Sequence, residues 1–466
     1  MDFNKLYING AWISAKSKDT ISVINPSDES VVGVVPNADS EDVKLAINAA
    51  KNAKENWQNT PFRVRIKYLY KAMKELKKMS SELNDIVLSE LGSPITWTVK
   101  VQVNDSIRIF ERFINLAQSY EFEKHFGNYI LRKEPIGVVL AITPWNYPIY
   151  QVVQKVVPAL LCGNTVVLKP SSETPITAHY FVEAFNRVGL PNGVLNLVTG
   201  SGDELSSHLI KDENVDMISF TGSTSVGKII SMKAGQSFKR LALELGGKSP
   251  CIVLEDGDIN IACQKVMNSC FLNSGQTCSA LSRILVPKSL KNSVIQNIKD
   301  NVSKYKPSIL QNPDTLVGTL VSKKQKQKVL GMVNDALKEG ATLEAGSINS
   351  DDNAIFEPIL LCVKKDMFIA KNEVFGPVLC LIEYESLEDA INIANDTRYG
   401  LSAAVIGSYE RAIEVAKKIK SGQVYINNSP SLFEAPFGGY KESGIGREGG
   451  LYGFDEFLET KAILNG

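Results

Sequence analysis

The chain has 466 residues, of which 44% are hydrophobic and 22% charged, as in ordinary globular proteins. Its length predicts about two to four domains. Because 51 basic side chains balance 51 acidic ones, the zero net charge argues against a protein that binds nucleic acid, which usually carries a basic excess.

The first elements of the chain have helical periodicity. Ser40-Glu41-Asp42 caps a run whose apolar positions share one helix face, and Arg63–Leu83 continues with a similar period. Residues 118–135 fit no regular series, and we interpret them as a hairpin excursion.

From about residue 136 onward, short apolar runs alternate with helical patterns. In the first series, Thr177–Val188 is a predicted helix, and the predicted strands are Ile136–Ile142, Thr165–Leu168, Val194–Val198, Met217–Phe220 and Leu241–Leu243. In the second series, which runs from Ile252 to Asn427, the predicted strands are Ile252–Leu254, Ile284–Val286, Val378–Tyr384, Ala403–Ile406 and Val424–Ile426. This alternation predicts two doubly wound α/β domains with mostly parallel sheets, which meet near Leu245-Gly246-Gly247.

The cysteines include one candidate nucleophile. Cys278 lies in the small, polar segment Asn273–Ser279, where a thiol can be reached and ionised. Packing is the alternative interpretation, because free cysteines are commonly small buried hydrophobes, and the other six cysteines favour it.

The remaining composition concerns compartment and metals. Seven cysteines suit no disulfide framework, and the three histidines show no metal-ligand spacing. The sequence opens with no secretory signal, and it holds no apolar stretch of about 18 residues that could span a membrane. We therefore expect a reduced, cytoplasmic protein with no metal site and no membrane partner.

Two polar residues lie where predicted strands end. Glu244 ends an apolar strand just before two glycines, where burial would raise its pKa towards the range of a general base. A glutamate paired with a lysine is the alternative. Asn146 lies between two prolines, and its amide is placed to donate to a developing oxyanion, although an aromatic turn explains the same segment.

Three further segments carry residues suited to a ribose or phosphate. Lys169 and the hydroxyls of Ser171 and Ser172 follow a predicted strand. Phe220-Thr221-Gly222-Ser223 opens a helix whose free backbone N–H groups suit an anion. Gly200-Ser201-Gly202 is a weak signal, because a leucine stands where a dinucleotide fingerprint has its third glycine. A capped turn between strand and helix is the alternative each time.

Together and in this order, these motifs resemble the aldehyde dehydrogenase superfamily. The resemblance runs from Ile8-Asn9-Gly10 to Glu459-Thr460-Lys461 and implies a hydrolytic, NAD(P)-dependent enzyme that oxidises an aldehyde to a carboxylic acid. The matching segments are Pro144-Trp145-Asn146, Lys169-Pro170-Ser171, Phe220-Thr221-Gly222-Ser223, Glu244-Leu245-Gly246-Gly247-Lys248, Gly275-Gln276-Thr277-Cys278, Glu373-Val374-Phe375-Gly376-Pro377, Pro436-Phe437-Gly438-Gly439-Tyr440-Lys441 and Gly446-Arg447-Glu448.

The resemblance implies a domain division. Residues 1–117 and 137–245 would form a Rossmann-like cofactor-binding domain, and residues 246–445 a catalytic domain. Residues 118–136 and 446–466 would form a small β-hairpin oligomerisation element. The chain ends about six residues after Thr460, where many relatives add a strand used in subunit pairing. We expect a homodimer or a homotetramer.

The resemblance also implies catalytic roles. Cys278 would form a thiohemiacetal and then a thioester with the substrate. Asn146 and the Cys278 backbone N–H would hold the oxyanion. Glu244 would activate the hydrolytic water, and Lys155 would lie close to the catalytic region.

On the cofactor side, the resemblance implies that Glu373 holds the nicotinamide ribose and that Phe375 packs near it. Many NAD-preferring members have Glu where this chain has Ser172, and a serine hydroxyl can donate to a 2′-phosphate. We therefore expect NADP to be accepted and even preferred, whereas an alignment that moves Glu173 to this position would restore NAD. The other expected cofactor residues are Thr143, Trp145, Lys169, Ser171, Gly202, Phe220, Thr221, Gly222, Ser223 and Gly246.

On the substrate side, the resemblance implies a tunnel whose glutamines make it too polar for long fatty aldehydes. None of its positions is an arginine that would pair with a carboxylate, which argues against semialdehydes of dicarboxylic acids. A small or medium aldehyde is expected. The tunnel residues are Tyr147, Gln151, Gln154, Thr277, Ser279 and Phe437.

Two alternatives stay open. A CoA-acylating relative would pass the acyl group to CoA, but this branch generally lacks the glutamate found here as Glu244. A non-catalytic scaffold would share the fold, since function lives in the site rather than the fold. Replacement of Cys278, Glu244 or Asn146 would have favoured it, and all three residues are present.

Overall fold

The computed structural model describes residues 2–201, 203–348, 351 and 353–464. The strands are β1 (Leu6–Ile8), β2 (Ala11–Ile13), β3 (Thr20–Ile24), β4 (Val31–Pro36), β5 (Glu123–Phe126), β6 (Tyr129–Pro135), β7 (Val138–Ile142), β8 (Thr165–Lys169), β9 (Leu195–Leu197), β10 (Met217–Thr221), β11 (Arg240–Glu244), β12 (Pro250–Val253), β13 (Arg283–Pro287), β14 (Thr342–Ala345), β15 (Ile359–Cys362), β16 (Val378–Tyr384), β17 (Ser402–Ile406), β18 (Gln423–Ile426), β19 (Gly444–Ile445) and β20 (Leu458–Leu464).

The helices cover both faces of the larger sheets, and a π-helical turn, Thr98–Asp105, joins α4 to α5. They are α1 (Ser40–Asn59), α2 (Phe62–Lys78), α3 (Ser80–Leu91), α4 (Ile95–Trp97), α5 (Ser106–Gln118), α6 (Pro148–Cys162), α7 (Ile176–Arg187), α8 (Asp203–Lys211), α9 (Thr224–Gly235), α10 (Ile259–Phe271), α11 (Lys291–Asn301), α12 (Lys323–Lys338), α13 (Phe368–Lys371), α14 (Leu387–Asn395), α15 (Tyr409–Ala416) and α16 (Gly450–Asp455).

The first large sheet has the strand order β19-β11-β10-β7-β8-β9-β1-β2. Its central strands are parallel, and the strands at both edges run antiparallel to their neighbours. Val139 packs on one face with α6 and α7, while Val138 and Leu140 pack on the other face with α1 and α9. Burial on both faces explains why every residue of β7 is apolar.

The second large sheet has the order β14-β15-β16-β13-β12-β17-β18 and is parallel apart from β14. Ile252 faces a cluster that includes α12 and α14, and its neighbours Cys251 and Val253 face α10 and α11. Both sheets are therefore covered on both sides, and the predicted fold class of two doubly wound α/β units is confirmed.

Two smaller sheets complete the structure. The predicted excursion is the hairpin β5–β6, and β20 pairs along the whole of β6. Strands β3 and β4 form a separate pair. The expected division at residue 445 does not separate the sheets cleanly, because β19 lies within 246–445 and pairs with β11 of the first sheet. With that exception, we keep the expected domain bounds as a proposal.

Other differences concern short elements. Strands β1 to β4 were missed, since they are short and several of their residues face outward. Arg63–Leu83 is not one helix, because the chain changes direction at Met79 between α2 and α3. Strands β14 and β15 were also missed.

Candidate active site

The site begins where β7 opens into α6. Pro148 takes the first helical position, where the missing N–H costs no helix bond. The buried Asn146 donates from Nδ2 to the Gln276 carbonyl over 2.8 Å. Its own carbonyl accepts from Gln102 Nε2 at 3.1 Å and from Asn273 Nδ2 at 3.0 Å. Asn146 is thus fixed against the segment that carries Cys278, while its second amide hydrogen has no partner among the described residues.

The segment before Cys278 has an unusual backbone. Asn273 and Ser274 have φ of 54° and 55°, and Gly275 has φ of 70°. A Cβ at Gly275 would stand 2.3 Å from the Gly376 backbone, so only glycine fits there. Strain that the surroundings hold in place is typical of functional sites. Here it presents the half-buried Cys278 on a turn.

Glu244 is the last residue of β11 and is only 2% exposed. Its Oε2 has no hydrogen-bond partner among the described residues. The chain around it is fixed, because Leu245 N donates to the Ser443 carbonyl at 2.9 Å and Ser443 Oγ donates to the Gly246 carbonyl at 2.6 Å. A buried carboxylate oxygen without a partner is costly, which is the condition expected of a group that meets substrate or water.

Lys155 extends from α6 into a buried polar network. Its Nζ donates to Thr221 Oγ1 at 2.7 Å and is ion-paired with Glu448. Both charges also act on the carboxyl of Glu244, so the network lies next to it. Glu448 was not among the predicted site residues, and its signal in the sequence was its place in the matching segment Gly446-Arg447-Glu448.

Electrostatics at the thiol oppose ionisation. Burial raises the pKa of Cys278 to about 12, and the nearby Glu244, Glu373 and Glu448 add to the shift. Burial, followed by the charge of Glu448, raises the pKa of Glu244 well above its usual range, and the positive charge of Lys155 opposes this. Both shifts favour the protonated forms, so the thiol must lose its proton before Cys278 can act as a nucleophile.

A cavity of about 230 Å³ opens on one side of Cys278. Glu373 lines it, and its Oε1 accepts from Gly247 N at 3.0 Å, while burial raises the pKa of Glu373 to about 7. A Cβ on Gly246 would stand 2.5 Å from Glu373 Oε2, so the Glu373 carboxylate fits here because residue 246 has no side chain. The expected cofactor residues that line this cavity are Trp145, Thr221, Gly222, Ser223, Gly246, Glu373 and Phe375.

The cavity fits a flat ring joined to a ribose. Phe375, held at φ of 59°, packs edge-on to Trp145 with 5.3 Å between ring centroids. The Glu373 carboxylate is an acceptor suited to ribose hydroxyls, and the buried Thr143 Oγ1 just outside the lining has no partner among the described residues. The residues present therefore fit the nicotinamide end of a dinucleotide.

The remaining expected cofactor residues lie elsewhere. Lys169 is buried, its Nζ donates to the Pro170 carbonyl at 3.2 Å, and burial lowers its pKa to about 8. Ser171 and Ser172 are half-buried beside it. Phe220 packs in the apolar core and does not line this cavity, and its expected role remains a prediction. Gly202 lies outside the described residues.

A second cavity has a volume of about 280 Å³. Gln154 and Phe437 of the expected tunnel line it, together with Tyr150, which lies close enough to Cys278 for the thiol to influence its pKa. The cavity also contains Arg108 and Arg112, both from α5.

The other expected tunnel residues do not line this second cavity. Tyr147 and Thr277 share a hydrogen bond of 2.8 Å between their hydroxyls. Gln151 is buried, and Ser279 is half-buried next to Cys278. No arginine occupies the expected tunnel positions, but Arg108 and Arg112 line the second cavity because α5 approaches it from a distant part of the sequence.

Comparison with known proteins fits this geometry. A sequence model of the aldehyde dehydrogenase family matches residues 12–463. The chain is 40% identical over 468 aligned residues to a putative aldehyde dehydrogenase of Staphylococcus haemolyticus, covering 99% of this chain and 98% of that one. The chain therefore belongs to the aldehyde dehydrogenase family and is an oxidoreductase that oxidises aldehydes.

Solved structures are similar over nearly the whole chain. A variant of aldehyde dehydrogenase C from Pseudomonas syringae, in complex with NAD⁺ and octanal, is 38% identical with a TM-score of 0.97, covering 99% of this chain and 96% of that one. A betaine aldehyde dehydrogenase from Staphylococcus aureus in complex with NAD⁺ is 35% identical with a TM-score of 0.96, covering 99% and 94%. Among the described residues, no helix has the length and apolar character to cross a membrane.

Proposed function

We propose that the protein is a hydrolytic aldehyde dehydrogenase in which Cys278 is the nucleophile. The observation that carries this proposal is that three separate segments bring Cys278, Asn146 and Glu244 together at the cavity that fits a ribose. A thiol, an amide donor and a buried carboxylate are the three groups that acyl transfer through sulfur requires.

In the first step, the proton of the Cys278 thiol passes to water and Sγ attacks the carbonyl carbon. The new C–S bond leaves the charge on the carbonyl oxygen, where Asn146 Nδ2 and the Cys278 backbone N–H donate to it. One such donor is typically worth about 2.7–4 kcal/mol of barrier. A nicotinamide cofactor bound beside Glu373 supplies the hydride acceptor that turns this adduct into a thioester.

In the second step, Glu244 takes a proton from water, and the resulting hydroxide attacks the thioester carbon. The C–S bond breaks, the carboxylic acid leaves and the thiolate of Cys278 is regenerated. Burial and the charge of Glu448 raise the pKa of Glu244, which is the direction that strengthens a carboxylate as a general base. The unpartnered Oε2 provides the acceptor.

Transfer of the acyl group to CoA is the second candidate. The buried Glu244 argues for hydrolysis, since a CoA-dependent enzyme gains nothing from a base that activates water. Product analysis with and without CoA separates the two: free acid at an undiminished rate without CoA supports hydrolysis, and a requirement for CoA contradicts it.

We also propose that NADP is accepted beside NAD. The half-buried Ser172 next to Lys169 supports this proposal. The positive charge of Lys324 acts on Glu173 and partly offsets the negative charge of that carboxylate. NAD⁺ in the related structures supports NAD as the alternative. The ratio of kcat/KM for NADP to that for NAD decides: a value near or above one supports the Ser172 argument, and a strong NAD preference contradicts it.

We further propose a cytoplasmic homo-oligomer, a dimer or a tetramer. The seven cysteines are free, which suits a reducing compartment. The small sheet formed by β5, β6 and β20 exposes Phe126, Ile463 and Leu464, the last to 81%, and an exposed apolar strand edge favours pairing with another chain. Size-exclusion chromatography with light scattering tests the oligomeric state.

The experiment that tests the central proposal compares wild type with Cys278→Ala on short, long and aromatic aldehydes while reduced cofactor is followed by absorbance. Activity should vanish in the variant. Cys263→Ala, at a buried core thiol on α10, is the matched control and should keep its activity. No turnover by wild type with any aldehyde, despite tight cofactor binding, would favour a non-catalytic scaffold.

A further inference from the structure

The second cavity has an uncompensated positive charge at its mouth. Arg108 and Arg112 lie one turn apart on α5, so their side chains share a face. Asp105 is ion-paired with Arg108. Arg112 has no acidic partner among the described residues and lies with its guanidinium carbon 5.9 Å from the centre of the Phe433 ring. One guanidinium is therefore positioned by an aromatic ring of the cavity wall and left without a counter-ion.

The inner wall of the same cavity is polar. Gln154 is 5% exposed, and its Oε1 has no hydrogen-bond partner among the described residues. Its Nε2 donates to the Tyr150 hydroxyl at 2.8 Å, which leaves the phenol hydrogen free to donate. A purely hydrocarbon chain in this cavity would leave these groups unpaired, which costs free energy.

We propose that this cavity selects short aldehydes that carry a carboxylate at the end remote from the carbonyl. The aldehyde end lies towards Tyr150 and Cys278, and the carboxylate meets Arg112 and Arg108, whose planar guanidinium groups match carboxylate geometry. At about 280 Å³ the cavity is near the lower limit of ligand pockets, about 300 Å³, which favours a short chain. The inference rests on the proposed function, since the carbonyl must reach Cys278.

The experiment compares succinic semialdehyde with hexanal, which has as many heavy atoms and no charge. Wild type should have the higher kcat/KM for the semialdehyde. Arg112→Gln should lower the ratio of semialdehyde to hexanal about tenfold or more, chiefly through KM, and Arg112→Lys should restore part of it. Arg411→Gln removes another exposed arginine, which lies on α15 and is paired with Asp256, and should leave the ratio at the wild-type value.

Ionic strength gives a second readout, because charge attraction at an exposed site is screened by salt. The KM for the semialdehyde should rise with salt, while the KM for hexanal should not. Turnover of hexanal with no preference for the semialdehyde, and no change of the ratio in Arg112→Gln, would overturn this inference and leave the dehydrogenase proposal standing.

Binding of succinate by calorimetry separates the two proposals when no aldehyde is turned over. Succinate that binds wild type and binds Arg112→Gln at least about tenfold more weakly supports the anion subsite independently of catalysis. Equal binding to both proteins, or none to either, refutes it.

Discussion

Replacing Gly246 by alanine tests whether the missing side chain at this position is needed for Glu373 to keep its orientation in the cavity. The added Cβ would stand 2.5 Å from Glu373 Oε2 and 2.8 Å from its Cδ, and both distances are too short. Since these atoms are the far end of a flexible side chain, the chain should fold normally and Glu373 should swing away. That movement breaks its 3.0 Å bond to Gly247 N and removes the proposed ribose acceptor.

A hydrogen bond to a charged group contributes about 1.5–3 kcal/mol, which corresponds to about a ten- to hundredfold change in affinity. We therefore expect the dissociation constant for NAD⁺ to rise by that factor, with little change in melting temperature. Fluorescence titration above pH 8 is the assay, because Glu373, with a pKa of about 7, is then ionised.

Gly331→Ala on α12 is the matched control, because its Cβ would meet no atom within 4 Å. It should leave the affinity for NAD⁺ unchanged. An affinity within about twofold of wild type in Gly246→Ala would refute the reasoning, and so would unfolding of that variant without any specific loss of cofactor binding.

Three further predictions concern individual polar groups. Asn146→Ala should lower kcat by about 10²–10³-fold with a normal thiol titre, because an oxyanion donor acts on the transition state; an unchanged kcat contradicts its role. Glu244→Gln should retain a rapid burst of reduced cofactor while steady turnover falls about 10²-fold or more; an equal loss of both phases would show that Glu244 is not specific to hydrolysis. Burial raises the pKa of Glu90 to about 8, so the folded state keeps a proton that the unfolded chain releases near its ordinary value, and stability falls as pH rises from about 5 to 8. Urea unfolding of Glu90→Gln should show a flatter pH dependence over that range, and parallel curves would exclude this contribution.

The parallel strands could be predicted because their side chains are buried on both faces. Runs such as Val378–Tyr384 contain few polar residues, and the structure has a strand with those bounds. Strands that are short and partly exposed, such as Ala11–Ile13, lack this pattern. Their formation depends on pairing with neighbours rather than on their own composition.

The residue types of the proposed catalytic centre could also be picked out along the chain. Cys278, Glu244 and Asn146 each lie in a segment of glycines, prolines and polar residues that follows an apolar run. Such segments form the loops at strand ends, where the chemistry of an α/β protein collects. The matching segments, taken in order, then indicated the family and the class of reaction.

Only the tertiary structure showed which residues lie around that centre. Glu448 is 293 positions from Lys155, yet the two are paired, and no local pattern reveals such a contact. Arg108 and Arg112 belong to a helix far from Cys278 in sequence, and the expected tunnel positions contained no charge. Phe220 has a place in a matching segment, but the alternation of its strand turns the ring into the core. The sequence determined the fold class and the proposed reacting groups through burial patterns and residue chemistry, whereas packing between distant segments decided the network behind Glu244 and the arginines that line the second cavity.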